Sequence, residues 1–388
     1  MSLKPKRGVG TSTRGSREPF RGSLLENDNT EGSWMSHGET IIAIDVGSGT
    51  QDIFFLDPAR EVENCLQMVL PSPTSLLARK ISQARERRIP IHLTGNLMGG
   101  GPVAWAVREH LRSGLAVTAE PEAALTLHDD LSKVEEMGVR LNQGPLPGAM
   151  VIRMGDVEVD FLEGILRRVG LESPDIWCVA VQDHGHQPKG SNRAFRFQHW
   201  EGFLEQGGKI EDALYSEPPH YLTRMSSVLK QVPNGRVMDT GMAAINGALC
   251  DPWVASKVEE GVMVVNLGNQ HTLAALISGE RAFGLFEHHT GALSAPSLVK
   301  WLERFRKGDL SSQEVREDGG HGCAYSPESP STWNFPWTVV TGPRRQMARG
   351  LGWYMAAPFG NMMLTGCFGL VRAYMKRKGI HWPQGGEP

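Results

Sequence analysis

The sequence predicts an α/β fold made of two related halves, on three observations. Apolar strand-like runs alternate with helical periodicity along most of the 388 residues. A glycine-rich hairpin near Asp45 is echoed about 220 residues later, around Asn266. The length suits two domains, or one large body with a cleft.

Order is expected to begin at Thr40, because residues 1 to 38 are rich in Ser, Gly, Arg, Lys and Thr and poor in apolar side chains. They read as a disordered tail, with Met35 as an alternative start codon. Ile41–Ile44 reads as a buried strand, Gly47–Thr50 as a tight turn and Ile53–Leu56 as a second strand. Further strand-like runs fall at 67–70, 91–94, 115–118, 150–153, 177–181, 262–267, 273–277 and 337–341. Helical patterns lie near 73–86, 102–113, 157–169, 241–249, 293–307, 343–350 and 362–377. The run from Val262 to Ile277 repeats the first hairpin: a strand ending in Asn, a small-residue turn, another strand. One hairpin per domain implies a duplicated fold.

Composition narrows the function classes. Hydrophobic residues make up 40% and charged residues 21%, which excludes wholesale disorder. A net charge of −3 supplies no field for a polyanion, so neither nucleic acid nor an acidic membrane is expected as the main partner. Glycine is in excess, at 45 residues, against about 27 at the usual 7%. Such an excess suits tight turns and close backbone approach to phosphates. The five cysteines form no CxxC pair, which argues against a disulfide framework, a cysteine zinc site or an iron–sulfur cluster. The chain therefore reads as reduced and cytoplasmic. Residues 352–371 carry no charge and could span a bilayer by length alone. Pro358, Asn361, Thr365, Gly360, Gly366 and Gly369 favour instead a buried loop followed by a close-packed helix.

Asp45-Val-Gly-Ser-Gly-Thr-Gln-Asp52 is the sharpest chemical signal. A strand ends in a carboxylate, and glycines then free consecutive backbone N–H groups to face an anion. Ser48 and Thr50 add hydroxyl donors, and Asp45 stands where it could hold hydrated Mg²⁺. Three polar clusters are further candidates: Asp183 with His184 and His186, Glu287 with His288 and His289, and Asp318 with His321. They could bind a divalent metal, with His184 and His186 as ligands, or provide a general base. Lys189, Arg193 and Arg196 could clamp an anionic small-molecule substrate or form a solvated basic face.

DVGSGTQD resembles the first phosphate loop of the actin, sugar-kinase and heat-shock-chaperone ATPase superfamily. Val264–Thr272 resembles its second phosphate loop, with Asn266 where that superfamily usually has Asp. Val339–Arg345 resembles the adenosine motif, and Met238–Gly247 and Thr365–Val371 resemble the two connecting helices. The resemblance implies two ribonuclease-H-like domains with a nucleotide cleft between them, over 39–235 and 236–388. ATP and Mg²⁺ are the implied cofactors. Gly47, Ser48, Gly49, Thr50 and Gln51 would hold phosphates with Gly268, Asn269, Gln270, His271 and Thr272, while Gly342 and Arg344 would face the adenosine. Asp45 would organise the metal, and Asp239 or Asp183 would orient or deprotonate the nucleophile.

The body from about 40 to 380 is also similar to a prokaryotic family of unknown function. Leu93–Pro102, Val181–Gly185, Ser191–Arg193, Glu287–Gly291 and Asp318–Gly322 carry that similarity. Some members bear the label pyruvate formate-lyase activating enzyme-like. A radical-SAM activator needs a CxxxCxxC triplet, whereas the nearest cysteines here, Cys323 and Cys367, are 44 apart. Three functions stay open: an ATP-dependent phosphotransferase or ATPase, a nucleotide-regulated binding protein, and a metal-dependent hydrolase that no longer uses ATP.

Overall fold

Ile41, Ile42, Ala43 and Ile44 are buried on both faces, as only a central strand can be. The computed structural model that shows this describes residues 38–328, 333–380 and 382. The tail before Gly38 and the alternative start at Met35 lie outside the described residues. Strands β1 (Ile41–Val46), β2 (Thr50–Leu56) and β3 (Leu66–Pro71) form an antiparallel meander. A module is then inserted before the sheet is completed. It comprises α1 (Pro73–Glu86), β4 (Ile91–Gly95), α2 (Gly101–Arg112), β5 (Val117–Ala119), β6 (Val139–Leu141) and β7 (Met150–Met154). Its four strands are all parallel, in the order β6-β5-β4-β7, around a separate apolar core.

After α3 (Val159–Arg168) the chain returns to β1. Strand β8 (Ile176–Val181) pairs with it in parallel. Helix α4 (Asn192–Glu205) follows, then β9 (Gly235–Met238), parallel to β8, and α5 (Thr240–Ala248). The sheet order is β3-β2-β1-β8-β9.

The second half repeats this plan. β10 (Val262–Leu267), β11 (His271–Ser278) and β12 (Arg281–His289) form the antiparallel meander. After α6 (Ala295–Lys307), β13 (Gly322–Tyr325) extends the edge beyond β12. β14 (Trp337–Thr341) pairs in parallel with β10, and β15 (Tyr354–Met355) with β14. The order is β13-β12-β11-β10-β14-β15. Setting β13 aside, both sheets read 3-2-1-4-5 with the same strand directions. This is the ribonuclease-H-like topology twice over, the actin-like ATPase fold.

Side-chain alternation shows how the halves join. Ile42 and Ile44 point into a core with Leu162 and Leu166 of α3, and Met263 and Val265 into one with Leu298 and Leu302 of α6. Ile41, Ala43, Val262 and Val264 share a single core with Met242 of α5 and Leu370 of α7 (Thr365–Arg377). The two connecting helices are packed together between the sheets. Gly247 and Gly369 let them cross, because a Cβ on Gly247 would come 2.6 Å from the Thr365 carbonyl carbon and overlap its oxygen. The Asn246 amide donates to the Gly369 carbonyl at 2.6 Å at the same crossing.

Two expectations need adjusting. The helix expected near 343–350 is only a short 3-10 turn, Arg345–Ala348, since Gly342 sits at φ +95° and Pro343 lacks an N–H donor. The run 352–371 makes β15, two short 3-10 turns and the start of α7. Among the described residues, no helix is long and apolar enough to cross a membrane.

Candidate functional site

Both hairpins end in the same turn. The Gly47 N–H donates to the Thr50 carbonyl at 2.9 Å, and the Gly268 N–H donates to the His271 carbonyl at 2.9 Å. The turns face one another across a cleft lined by Asp45, Gly47, Ser48, Thr50, Gly268, Asn269, Gln270, His271 and Gly342. A Cβ on Gly49 would approach the Asn269 amide nitrogen to 2.8 Å, so the turn tips nearly touch. Gly342 is required as glycine: its φ is +95° and a Cβ would press on Leu267 O at 2.6 Å.

Four residues expected at the phosphates or adenosine have other tasks. Gly49 is exposed beyond the lining. Gln51 is buried and donates to the Asp156 carbonyl at 3.4 Å. Thr272 is buried against Thr290, hydroxyl to hydroxyl at 3.0 Å. Arg344 is exposed, and its backbone N–H donates to Leu267 O at 2.9 Å.

Carboxylates gather at the floor. Asp45 lies opposite Asp52 in the β1–β2 register, and both line the cleft. Thr240 donates to Asp45 Oδ1 at 2.5 Å. Burial pushes the Asp45 carboxyl up to about 7; the Thr240 hydroxyl opposes this and the Asp239 charge adds to it. Burial and the charge of Asp45 push Asp52 up to about 8, against the Thr50 hydroxyl. Oδ1 of Asp52 is buried without a hydrogen-bond partner. Helix α7 closes over the pair, since a Cβ on Gly366 would overlap Oδ2 of Asp45. Asp52, raised by burial and by the Asp45 charge and left with an orphaned oxygen, fits with Asp45 a hard divalent cation such as Mg²⁺.

Asp239 also lines the cleft, but both its oxygens are engaged. Oδ1 caps α5 by accepting from the Gly241 N–H at 2.9 Å, and Oδ2 accepts from Arg196 Nη1 at 2.8 Å. Arg196 is 3% exposed. Its Nε donates to Glu287 Oε2 at 2.6 Å and its Nη1 also reaches the Asp183 carbonyl at 2.8 Å. Arg196 thus ties the end of β9 in one half to β12 in the other. Gln182 donates to Glu287 Oε1 at 2.8 Å. Burial would push Glu287 up, yet Arg196 and His271 outweigh it and hold the carboxyl well below its usual range.

The expected role of Asp183 is not supported by its placement. It is buried, lies outside the cleft lining, and accepts from the Gly185 and Met225 N–H groups at 2.8 and 3.0 Å, pinning the loop after β8. The grouping of Asp45, His184 and His186 as metal ligands changes as well. His186 points to Asp129, 4.0 Å away, while His184 joins His271 and His321. Each of these three offers one ring nitrogen within 4.8 Å of the others. Burial and the Arg196 charge hold His184 well below its ordinary range, and burial takes His321 down to about 3. His288 pairs with Asp318 at 3.1 Å. Lys189 is exposed, and Arg193 donates to the Gly319 carbonyl at 2.8 Å.

The inserted module reaches the same cleft. Gly99, Gly100, Gly101 and Pro102 line it beside Arg224. Arg224 grips Asp156 with Nε and Nη2, each at 2.8 Å, and donates to the Gln182 carbonyl. A Cβ on Gly99 would come 2.6 Å from the Arg224 guanidinium. Sequence reasoning gave Asp52 and Arg224 no role and left Arg196 open. Asp52 was recoverable: the tight turn makes 45 and 52 cross-strand partners. Arg196 and Arg224 find their partners only through tertiary structure.

Comparison with known proteins follows from this geometry. A family model described as "Putative pyruvate format-lyase activating enzyme (DUF1786)" matches residues 98–347. No curated protein matches. Among solved structures, the chain is similar to the PPX-GPPA enzyme of Aquifex aeolicus at 14% identity, over 78% of this chain and 68% of that one, with a TM-score of 0.23. It is similar to the ethanolamine utilization protein EutJ of Carboxydothermus hydrogenoformans at 10% identity, over 87% and 90%, with a TM-score of 0.26. It is similar to the activator of 2-hydroxyisocaproyl-CoA dehydratase from Clostridium difficile, with bound ADPNP, at 8% identity, over 88% and 98%, with a TM-score of 0.27. Such scores carry no weight; the strand order carries the fold.

Proposed function

The chain belongs to the DUF1786 family, and we propose that it binds a nucleoside triphosphate with Mg²⁺ in the cleft and acts as a phosphotransferase or ATPase on a small molecule. The observation that carries this reading is the pair of equivalent turns facing one cleft above two buried carboxylates. In this reading the N–H groups of Ser48, Asn269 and Gln270, with the Ser48 and Thr50 hydroxyls, donate to phosphate oxygens. Asp45 and Asp52 hold Mg²⁺, which when bound offsets phosphate charge. Gly342, at the cleft wall, would face the nucleoside. Asp239 serves through Arg196, which it orients with Oδ2 while Oδ1 caps α5.

The family description implies radical-SAM chemistry, which needs three clustered thiolates. The five cysteines here are separate in sequence and buried, and burial pushes every one of the thiols up. We therefore favour phosphoryl chemistry over activase chemistry.

Thermal denaturation tests the proposal. At a ligand concentration about a hundredfold above Kd, linkage adds about 2.7 kcal/mol of stability. Mg·ATP should raise Tm by several degrees, and Asp45→Ala should remove the magnesium-dependent part. Absence of any shift with ATP, ADP or GTP up to millimolar concentration would sink the nucleotide reading.

A further inference from the structure

We propose that His184, His271 and His321, the second of which lines the cleft, form a binding site for one divalent transition metal of the zinc class. The inference rests on these side chains and not on nucleotide binding. Each offers one ring nitrogen within 4.8 Å of the other two, and His184 Nε2 already lies 3.2 Å from His321 Nε2. Four-coordinate zinc with bonds of about 2.0–2.1 Å sets its ligand nitrogens roughly 3.3 Å apart. One edge of the ligand triangle is therefore formed, and side-chain movement of up to about 1.5 Å closes the rest. An all-imidazole set suits zinc, copper, iron or nickel and rejects magnesium, which prefers oxygen.

Two further observations point the same way. His321 Nδ1 is buried without a hydrogen-bond partner, so the contact of its Nε2 with His184 satisfies only one of the two ring nitrogens. Glu287 Oε1 lies 3.1 Å from His271 Nδ1, which is buried and makes no aligned hydrogen bond, so a small turn of the ring would let this carboxylate orient His271 as an outer-shell partner. Arg196 and Gln182 hold Glu287 in place for that purpose. Three protein ligands leave a fourth position for water or an anionic substrate oxygen, as catalytic zinc sites do.

The ligands come from both halves. His184 follows β8, while His271 opens β11 and His321 precedes β13. His271 also ends the second glycine turn, so a metal here would sit beside the phosphate-facing groups and bridge the cleft.

The test uses the full chain stripped with EDTA and titrated with zinc sulfate by calorimetry, then with Co²⁺ by absorption. The expected result is one zinc per chain, not displaced by millimolar Mg²⁺, and intense visible Co²⁺ bands of a four-coordinate site. His184→Ala and His321→Ala should each weaken binding at least about tenfold. The metal-free Tm of each variant reports whether it folds. Should a variant fail to fold, the wild-type cobalt spectrum still decides. Absence of stoichiometric zinc, a weak six-coordinate cobalt spectrum, or unchanged affinity in both folded variants would overturn the proposal. Titrating the same wild-type sample with Mg·ATP separates the two readings: zinc without a nucleotide shift refutes only the nucleotide site, and the reverse refutes only the metal site.

Discussion

Replacing Gly247 by alanine sets two effects against each other at a known place. Alanine in a helix interior is favoured over glycine by about 1 kcal/mol. At Gly247, however, the added Cβ would meet the Thr365 carbonyl carbon at 2.6 Å and the Gly369 nitrogen at 3.0 Å, both backbone atoms of α7. A backbone cannot swing aside as a side chain can, so α5 and α7 must separate by roughly 1 Å in a close-packed core. Overpacking of this kind costs about 1–3 kcal/mol and sometimes more. The strain falls on buried Met242, Ala243 and Leu370 and on the Asn246–Gly369 hydrogen bond. Set against the propensity gain, the upper end of that cost leaves a net loss of about 2 kcal/mol, lowering Tm by about 4–8 °C. Gly202→Ala is the control: it lies inside α4 with nothing within 4 Å of the added Cβ. That variant should gain up to about 1 kcal/mol. Urea denaturation of both variants measures the contrast. If Gly247→Ala proves as stable as wild type, the close crossing is wrong.

Two other perturbations have definite signs. Burial, with the Arg196 charge adding to it, lowers His199 from 6.5 to about 4. Below pH 6.5 the unfolded chain gains a proton that folded His199 refuses, so stability falls from pH 6.5 to about 4, by up to about 3 kcal/mol. His199→Gln should flatten that part of the stability profile, as measured by urea titrations at pH 7 and pH 4.5; an unchanged slope would refute it. Arg196→Met leaves Asp239 and Glu287 buried without their shared cation. It should cost about 3–5 kcal/mol in a denaturant titration, and a loss below about 1 kcal/mol would show that the carboxylates find other partners.

How much of this was legible in sequence depended on whether burial was apolar. The hairpins at 41–56 and 262–278 stood out because Ile41–Ile44 and Val262–Val265 are plain apolar runs closed by short turns. Their equivalence carried over to the two sheets. Strand β12 escaped notice because its buried end is Glu287 and His288, which hide through ion pairs rather than through hydrophobicity. Helix α4 escaped for a related reason: Arg196 is as buried as its neighbours Phe197 and Trp200, so no clean polar face marks it. Of the site, the turn glycines and Asp45 could be read locally. The His184–His271–His321 grouping could not, because it assembles from three segments up to 137 residues apart. His186 and Asp183, adjacent to His184 in sequence, were sent elsewhere by the loop that follows β8.

The order of the first sheet also bears on how the chain is made. Strand β1 waits for β8, about 130 residues downstream, before its second edge is covered. Its inner face is covered only in part, by α4 and α5, until α7 emerges, since Ile41 and Ala43 pack in the core that also holds Leu370 and Val371. Pairing across such separations is slow, because long loops must close before any contact rewards them. During synthesis the inserted module, whose strands are all within 91–154 and whose core is its own, has its fold-determining contacts in hand first. The two large sheets are completed later, once α7 has been made and can fill the core they share. A ribosome halted before Thr365 therefore displays an exposed apolar sheet face rather than a finished first domain.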